Sequence, residues 1–182
     1  MNSELLEKSM QQLKSGNKNA LEDIYKITSK VVYILAYSIL RSKERAEDIV
    51  QETFIMVYKK IDRYKLNTNP AAWICSIARN LACDEYVQRR DISLEAFEEN
   101  ISDKNAAENL TASVYLKGIL DNLNNDEKEV VALFVIGDFK HREIAKIVRK
   151  PTGTVQWLYN KALKKLRKIL SNENHVSAVK SQ

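Results

Sequence analysis

Two stretches decide how this 182-residue chain folds: Ala46-Glu47-Asp48-Ile49-Val50-Gln51-Glu52-Thr53-Phe54, and then Asn69-Pro70-Ala71-Ala72-Trp73-Ile74-Cys75-Ser76-Ile77-Ala78-Arg79-Asn80. In the first, Ala46, Val50, Phe54, Val57 and Ile61 recur at helical spacing and predict a helix over residues 43–61 with that stripe in the core. The opposite face collects Asp48, Gln51, Glu52, Ile55 and Lys59, so one isoleucine sits inside a polar rim, a composition that suits docking to another protein. A lone exposed apolar residue is also common on ordinary surfaces, and the pattern alone does not separate the two. The second stretch opens with a capping asparagine and a proline at the first helical position, which predicts a helix from residue 69 or 70 to Arg90. Trp73, Ile74, Ile77, Ala78 and Leu81 supply its packing, while Arg79, Asn80, Arg89 and Arg90 lie away from the densest apolar arc and suit a phosphate partner. The connecting loop adds Arg63, Tyr64 and Lys65, cations around a ring that could stack on single-stranded nucleic acid.

These two stretches, with Asp84 beyond them, resemble the second conserved region of bacterial sigma factors of the extracytoplasmic-function group. The resemblance implies that Asp48, Gln51, Glu52 and Ile55 dock on the clamp helices of core RNA polymerase. It also implies that Lys60, Arg63, Tyr64, Asn69, Trp73, Arg79, Asn80, Arg89 and Arg90 open and read the minus-ten promoter element. A first domain over residues 1–90 follows, with a predicted helix at 3–15 that stops at Gly16-Asn17 and a second at 19–40 whose broad apolar surface is core. Tyr25, Tyr33 and Tyr37 stand among aliphatic neighbours there and are expected to be buried rather than to stack on bases.

Four glycines and two prolines leave little turn chemistry for sheets, so the expected class is all-α. Residues 1–90 hold 15 Lys and Arg against 11 Asp and Glu, residues 91–123 hold 2 against 7, and residues 124–182 hold 12 against 6. Two basic blocks around an acidic one suit two nucleic-acid-facing units. Residues 91–106 read as a flexible linker, and the charged, unpatterned connection predicts two small helical domains that reorient without a large fixed interface.

The second domain is expected over residues 107–172, with a tail lacking structure at 173–182. Asn124 should cap a helix ending near Ile136; a short helix over 142–148, a turn through Arg149-Lys150-Pro151, and a long helix from Thr154 then have the lengths of a helix-turn-helix. Glu143-Ile144-Ala145 and Gly153-Thr154-Val155 resemble the fourth conserved region of the same sigma factors. That resemblance implies contact with the polymerase flap and readout of the minus-thirty-five element by Arg142, Thr152, Thr154, Gln156, Trp157, Asn160, Lys161 and Lys164. The chain departs from its relatives at Lys140, where a serine or threonine is usual, and at Trp157-Leu158, where a small residue and an arginine are usual. Helical phasing turns Trp157 about 200° from Val155, toward DNA, with packing on the loop after Gly137 or on a partner protein as the alternatives.

No phosphate loop, dinucleotide fingerprint or metal-ligand spacing can be written with these glycines, His141 and His175, so neither cofactor nor metal nor small-molecule substrate is expected. Cys75 and Cys83 lie about 12 Å apart along one helix, too far for a disulfide. Asp84 and Glu85 point about 100° apart and suit ion pairing rather than joint acid-base chemistry. No apolar run reaches the length of a membrane span, and the expected location is cytoplasmic. The resemblance implies a dissociable specificity subunit acting in a stress or envelope response, and leaves room for a membrane-anchored anti-sigma partner. The rival reading is a stand-alone helix-turn-helix regulator whose N-terminal helices bind another protein.

Overall fold

The computed structural model describes residues 3–95 and 122–179, with the side chains of 90–95 and 170–179 excepted. Among the described residues every regular element is helical: α1 (Ser3–Lys14), α2 (Ala20–Leu40), α3 (Lys43–Lys60), a single 3-10 turn (Ile61–Arg63), α4 (Pro70–Glu95), α5 (Asn125–Val135), α6 (His141–Val148) and α7 (Thr152–Val179). The expected start of the second domain and its first helix lie outside the described residues up to residue 121, as does most of the acidic linker.

Local chemistry sets most boundaries. Gly16 turns the chain after α1 with φ of +95°, in the region glycine tolerates. Ser42 caps α3 by accepting from the Arg45 N–H, and Asn69 Oδ1 accepts from the Ala72 N–H at 2.9 Å at the start of α4. Asn124 and Glu127 form a reciprocal capping box on α5. At α6 only half of such a box forms: Glu143 accepts from the Lys140 N–H at 2.8 Å, but an ammonium has no lone pair to offer in return. Arg149, left-handed with φ of 54°, ends α6 and turns the chain into α7. Gly137 is needed for space, since a Cβ there would come within 2.5 Å of the Phe139 ring and 2.6 Å of the Leu133 carbonyl.

In the first unit α2 is the central helix, contacted by α1, α3 and α4. Ile24, Val32, Leu35, Val57, Ile74 and Ala78 are buried where these helices meet. Arg45 of α3 pairs with Glu85 of α4, so that member of the carboxylate pair does serve an ion pair. In the second unit Leu133, Ile144, Ile147 and Val155 form the centre of a three-helix packing.

Three features differ from the sequence expectations. The helix expected to stop at Arg90 continues to Glu95, and α7 starts at Thr152 and continues to Val179 where a tail without structure was expected. Tyr25 is exposed rather than buried, its ring resting against Phe54 at 4.8 Å between centroids. Most consequentially, the two units are packed together: α5 lies on α2, α6 lies on α4, and one continuous apolar cluster includes buried residues of both. A charged linker sequence does not decide this, because the contact is made by helix faces that local periodicity assigns to each unit's own core.

Candidate nucleic-acid and partner interfaces

On α3, Asp48, Gln51, Glu52 and Ile55 are all exposed, with Ile55 52% accessible while Ile49, Val50 and Phe54 behind them are buried. Exposed Tyr58 extends the apolar patch one turn further along the same face. Beside it, a hollow of about 440 Å³ between α2 and α3 is lined by Tyr25, Lys30, Tyr33, Glu47 and Gln51. An apolar centre, a polar rim and an adjoining concavity make this a surface able to receive a partner helix.

The loop over 61–69 alternates its side chains: Arg63, Lys65 and Asn67 point out, and Tyr64 and Leu66 point in. Tyr64 is 1% exposed, with its ring 5.3 Å from Trp73 and its O–H donating to Glu7 Oε2 at 2.5 Å. Burial, and then the Glu7 hydrogen bond, push its pKa up to about 12, so it remains a donor throughout the physiological range. The reading of Tyr64 as a stacking platform does not fit this conformation, since the ring that was to meet bases is part of the core. Lys60, Trp73, Asn80 and Arg89 are half-buried, and the side chain of Arg90 lies outside the described residues.

Two further minus-ten candidates are already engaged by the second unit. Asn69 Nδ2 donates to Glu143 Oε1 at 2.6 Å, and Arg79 Nε donates to Glu129 Oε2 at 2.9 Å with the two side chains only 15% and 6% exposed. Burial opposes charge on both partners of the second pair. The guanidinium, reached by the Glu129 charge and hydrogen bond and by further anions, is still raised above its ordinary pKa; the more enclosed Glu129 carboxyl is also raised, because its burial outweighs the arginine. A third polar contact, Arg41 Nη2 to Asn125 Oδ1 at 2.7 Å, joins the same two units.

In the second unit Arg142, Thr154, Gln156, Trp157, Asn160 and Lys164 are exposed, and Thr152 and Lys161 are half-buried. Trp157 is 58% accessible, and Lys161 Nζ sits 4.6 Å from the centre of its ring. Lys161 and Lys165 also face Glu127, at 3.7 and 2.7 Å, which ties α7 to the capped start of α5. Burial opposes the Glu127 charge, but the Lys165 hydrogen bond, the Asn124 N–H and the two ammonium groups together hold its pKa below the ordinary carboxylate value. Residues that sequence reasoning missed are Glu7, Lys14, Glu129 and Glu143, whose partners lie dozens of residues away and leave no local signal.

The short helix α6, its left-handed turn and the following α7 with its exposed polar face are the parts of a helix-turn-helix, here attached to a separate helical unit with a docking-type surface. Comparison with known proteins then places the chain. Residues 24–92 match the family model of sigma-70 region 2, and residues 113–166 match that of sigma-70 region 4. The extracytoplasmic-function (ECF) RNA polymerase sigma factor SigW of Bacillus subtilis is 29% identical over 181 residues, covering 91% of this chain and 97% of that protein. EcfG of Rhodopseudomonas palustris, another ECF sigma factor, is 29% identical over 138 residues, covering 74% of this chain and 76% of that protein. Among solved structures, CnrH in complex with the cytosolic domain of CnrY is similar in fold, with a TM-score of 0.69 at 21% identity over 93% of this chain and 99% of that one. The sigma factor RpoE in complex with the anti-sigma factor NepR from Bartonella quintana gives 0.68 at 22% identity, covering 82% and 96%. The chain belongs to the sigma-70 family, in its extracytoplasmic-function group.

Proposed function

We propose that this chain is a dissociable sigma factor that binds core RNA polymerase and directs promoter-specific initiation, catalysis remaining with the polymerase. What supports it most is the order of the two matched regions on one chain, each with the surface its role requires: an exposed Asp48, Gln51, Glu52 and Ile55 face on α3, and an exposed polar face on α7 behind a helix-turn-helix turn. In this reading α3 docks on the polymerase clamp helices, the 61–69 loop and α4 meet the minus-ten element, and α7 meets the minus-thirty-five element near the flap. Arg63, Lys65 and Asn67 present donors to unstacked bases, and Lys164 with Trp157 and its neighbours enters the major groove.

The closed packing of the two units is incompatible with that engagement. Elements about 25 base pairs apart lie about 85 Å apart along B-form DNA, at about 3.4 Å per base pair. A compact chain of this length has a radius of gyration of about 16 Å, a diameter of roughly 40 Å. The units therefore separate on the promoter, which also releases Asn69 and Arg79 from Glu143 and Glu129. The sigma factor RpoE of Bartonella quintana was solved with the anti-sigma factor NepR, and a protein partner of that kind, holding the free form inactive, is part of this proposal. No helix among the described residues is long and apolar enough to cross a membrane, and the proposed site of action is the cytoplasm, with the polymerase. A mobility-shift experiment tests the reading: promoter duplex should be retained by the mixture of this protein with core polymerase and not by the protein alone. Specific retention of duplex by the free protein at physiological salt would favour a stand-alone regulator instead.

A further inference from the structure

The region 2 match begins at residue 24, so α1 lies outside it and has no part in the assignments above. Its contacts are nonetheless specific. Glu7 and Lys14, two turns apart on one face and both half-buried, together make four hydrogen bonds to a single segment, residues 62–67. Glu7 accepts from the Tyr64 O–H at 2.5 Å through one carboxylate oxygen and from the Asn67 N–H at 2.7 Å through the other. Lys14 Nζ donates to the Asp62 carbonyl at 3.1 Å and to the Tyr64 carbonyl at 2.7 Å. Every one of these bonds has a charged partner, the stronger kind of hydrogen bond.

The bonds fix backbone and inward-facing groups and leave the outward side chains untouched. With Tyr64 pinned inward, Arg63 and Lys65 must point out on either side of it. Asn67, whose N–H is held by Glu7, adopts a left-handed backbone with φ of 59° and also presents its amide outward. A carboxylate beside a loop that meets nucleic acid would ordinarily weaken binding by repelling phosphate, so its retention here calls for a different task. We infer that α1 is a brace for the minus-ten loop, with Glu7 and Lys14 as positioning residues that set the presentation of Arg63, Lys65 and Asn67 to the unpaired bases. This rests on the minus-ten role given to that loop above. Fixing the donors before contact lowers the ordering cost of binding and sharpens the choice between bases, which differ only in where their hydrogen-bonding edges lie.

The test compares wild type, Glu7→Ala, Glu7→Gln, Tyr64→Phe and Lys14→Met as reconstituted holoenzymes. They are assayed on templates whose minus-ten segment is premelted and varied base by base, with core binding and melting temperature measured in parallel. Glu7→Ala should bind core as wild type does, and its preference between the best and worst minus-ten bases should fall about tenfold, the effect of one or two charged hydrogen bonds. Glu7→Gln, which still offers one acceptor, should recover part of that preference. Tyr64→Phe, which keeps the ring against Trp73 and the Glu7 bond to Asn67, and Lys14→Met should fall between. An unchanged base preference in Glu7→Ala would overturn the brace. An equal loss on every template together with a lowered melting temperature would also overturn it, by assigning α1 to stability alone. Absence of any minus-ten preference in the wild-type holoenzyme would instead remove the loop assignment on which the inference rests.

Discussion

Replacing Arg79 with alanine removes the guanidinium that donates to Glu129, a carboxylate 94% covered at the junction of α4 and α5. A buried pair broken from one side leaves an uncompensated charge, at a cost of about 3 to 5 kcal/mol. Glu129→Gln keeps an acceptor facing the guanidinium and should cost about 1 kcal/mol. For a chain of this size the larger loss lowers the melting temperature by roughly 6 to 12 °C at the lower end of that range. Because the pair spans the two units, the loss should appear as separation as well, with a radius of gyration by small-angle scattering above that of wild type. The pH dependence supplies a second signature. The folded-state pKa of Glu129 is already raised by burial, so its contribution to stability is complete below the ordinary carboxylate value and declines as pH rises through the raised one. Without Arg79 that pKa rises further, and the deficit of Arg79→Ala against wild type should shrink on acidification, as Glu129 takes up a proton. If Arg79→Ala melts with wild type and scatters identically at neutral and acid pH, the pair does not hold the units together and the closed packing rests on the apolar cluster and the other polar contacts.

Three further outcomes are expected. Gln51→Ala combined with Glu52→Ala should weaken co-purification with core polymerase while leaving the melting temperature unchanged, because both side chains are exposed; undiminished co-purification would move the docking face elsewhere. Trp157→Ala should change activity mainly across a library of minus-thirty-five variants, with a stability cost of about 0.5 to 1 kcal/mol from the lost Lys161 contact; equal losses across the library would assign the ring to another partner. Glu127, whose pKa is lowered, contributes stability that is present above the ordinary carboxylate value and lost as pH falls through its folded value, so wild type and Glu127→Gln should differ at neutral pH and converge under acid unfolding; a constant difference down to about pH 2 would show that the charge is not what stabilises this helix junction.

Much of the helical frame could be read along the chain because its signals are local. Asn69-Pro70 and Asn124 each mark a helix start within a residue, and the Ala46, Val50, Phe54, Val57 stripe is buried as its spacing requires. The exposure of Asp48, Gln51, Glu52 and Ile55 follows from the same phasing. The loop was harder: a tyrosine between two cations reads as a base platform, and the partners that hold it inward include Glu7 and Lys14, 57 and 50 residues away. The union of the two units was not legible for a similar reason. Arg79 and Glu129 are fifty residues apart, and each looks like a surface charge on its own helix until the helices are brought together. Helix ends lacking a strong stop are equally hard to place: nothing between Arg90 and Glu95 breaks a helix, although the polar character of that stretch reads as linker.

Run-off transcription from purified components shows whether this chain confers promoter choice on core polymerase. Core polymerase with this protein should yield a discrete transcript from a cognate promoter fused to a reporter. Scrambling either the minus-ten or the minus-thirty-five element should abolish that transcript, and omitting the protein should leave only non-specific products. Transcription by core that is unaffected by adding the protein, on a template library broad enough to contain its promoter, would show that the chain is not a specificity subunit.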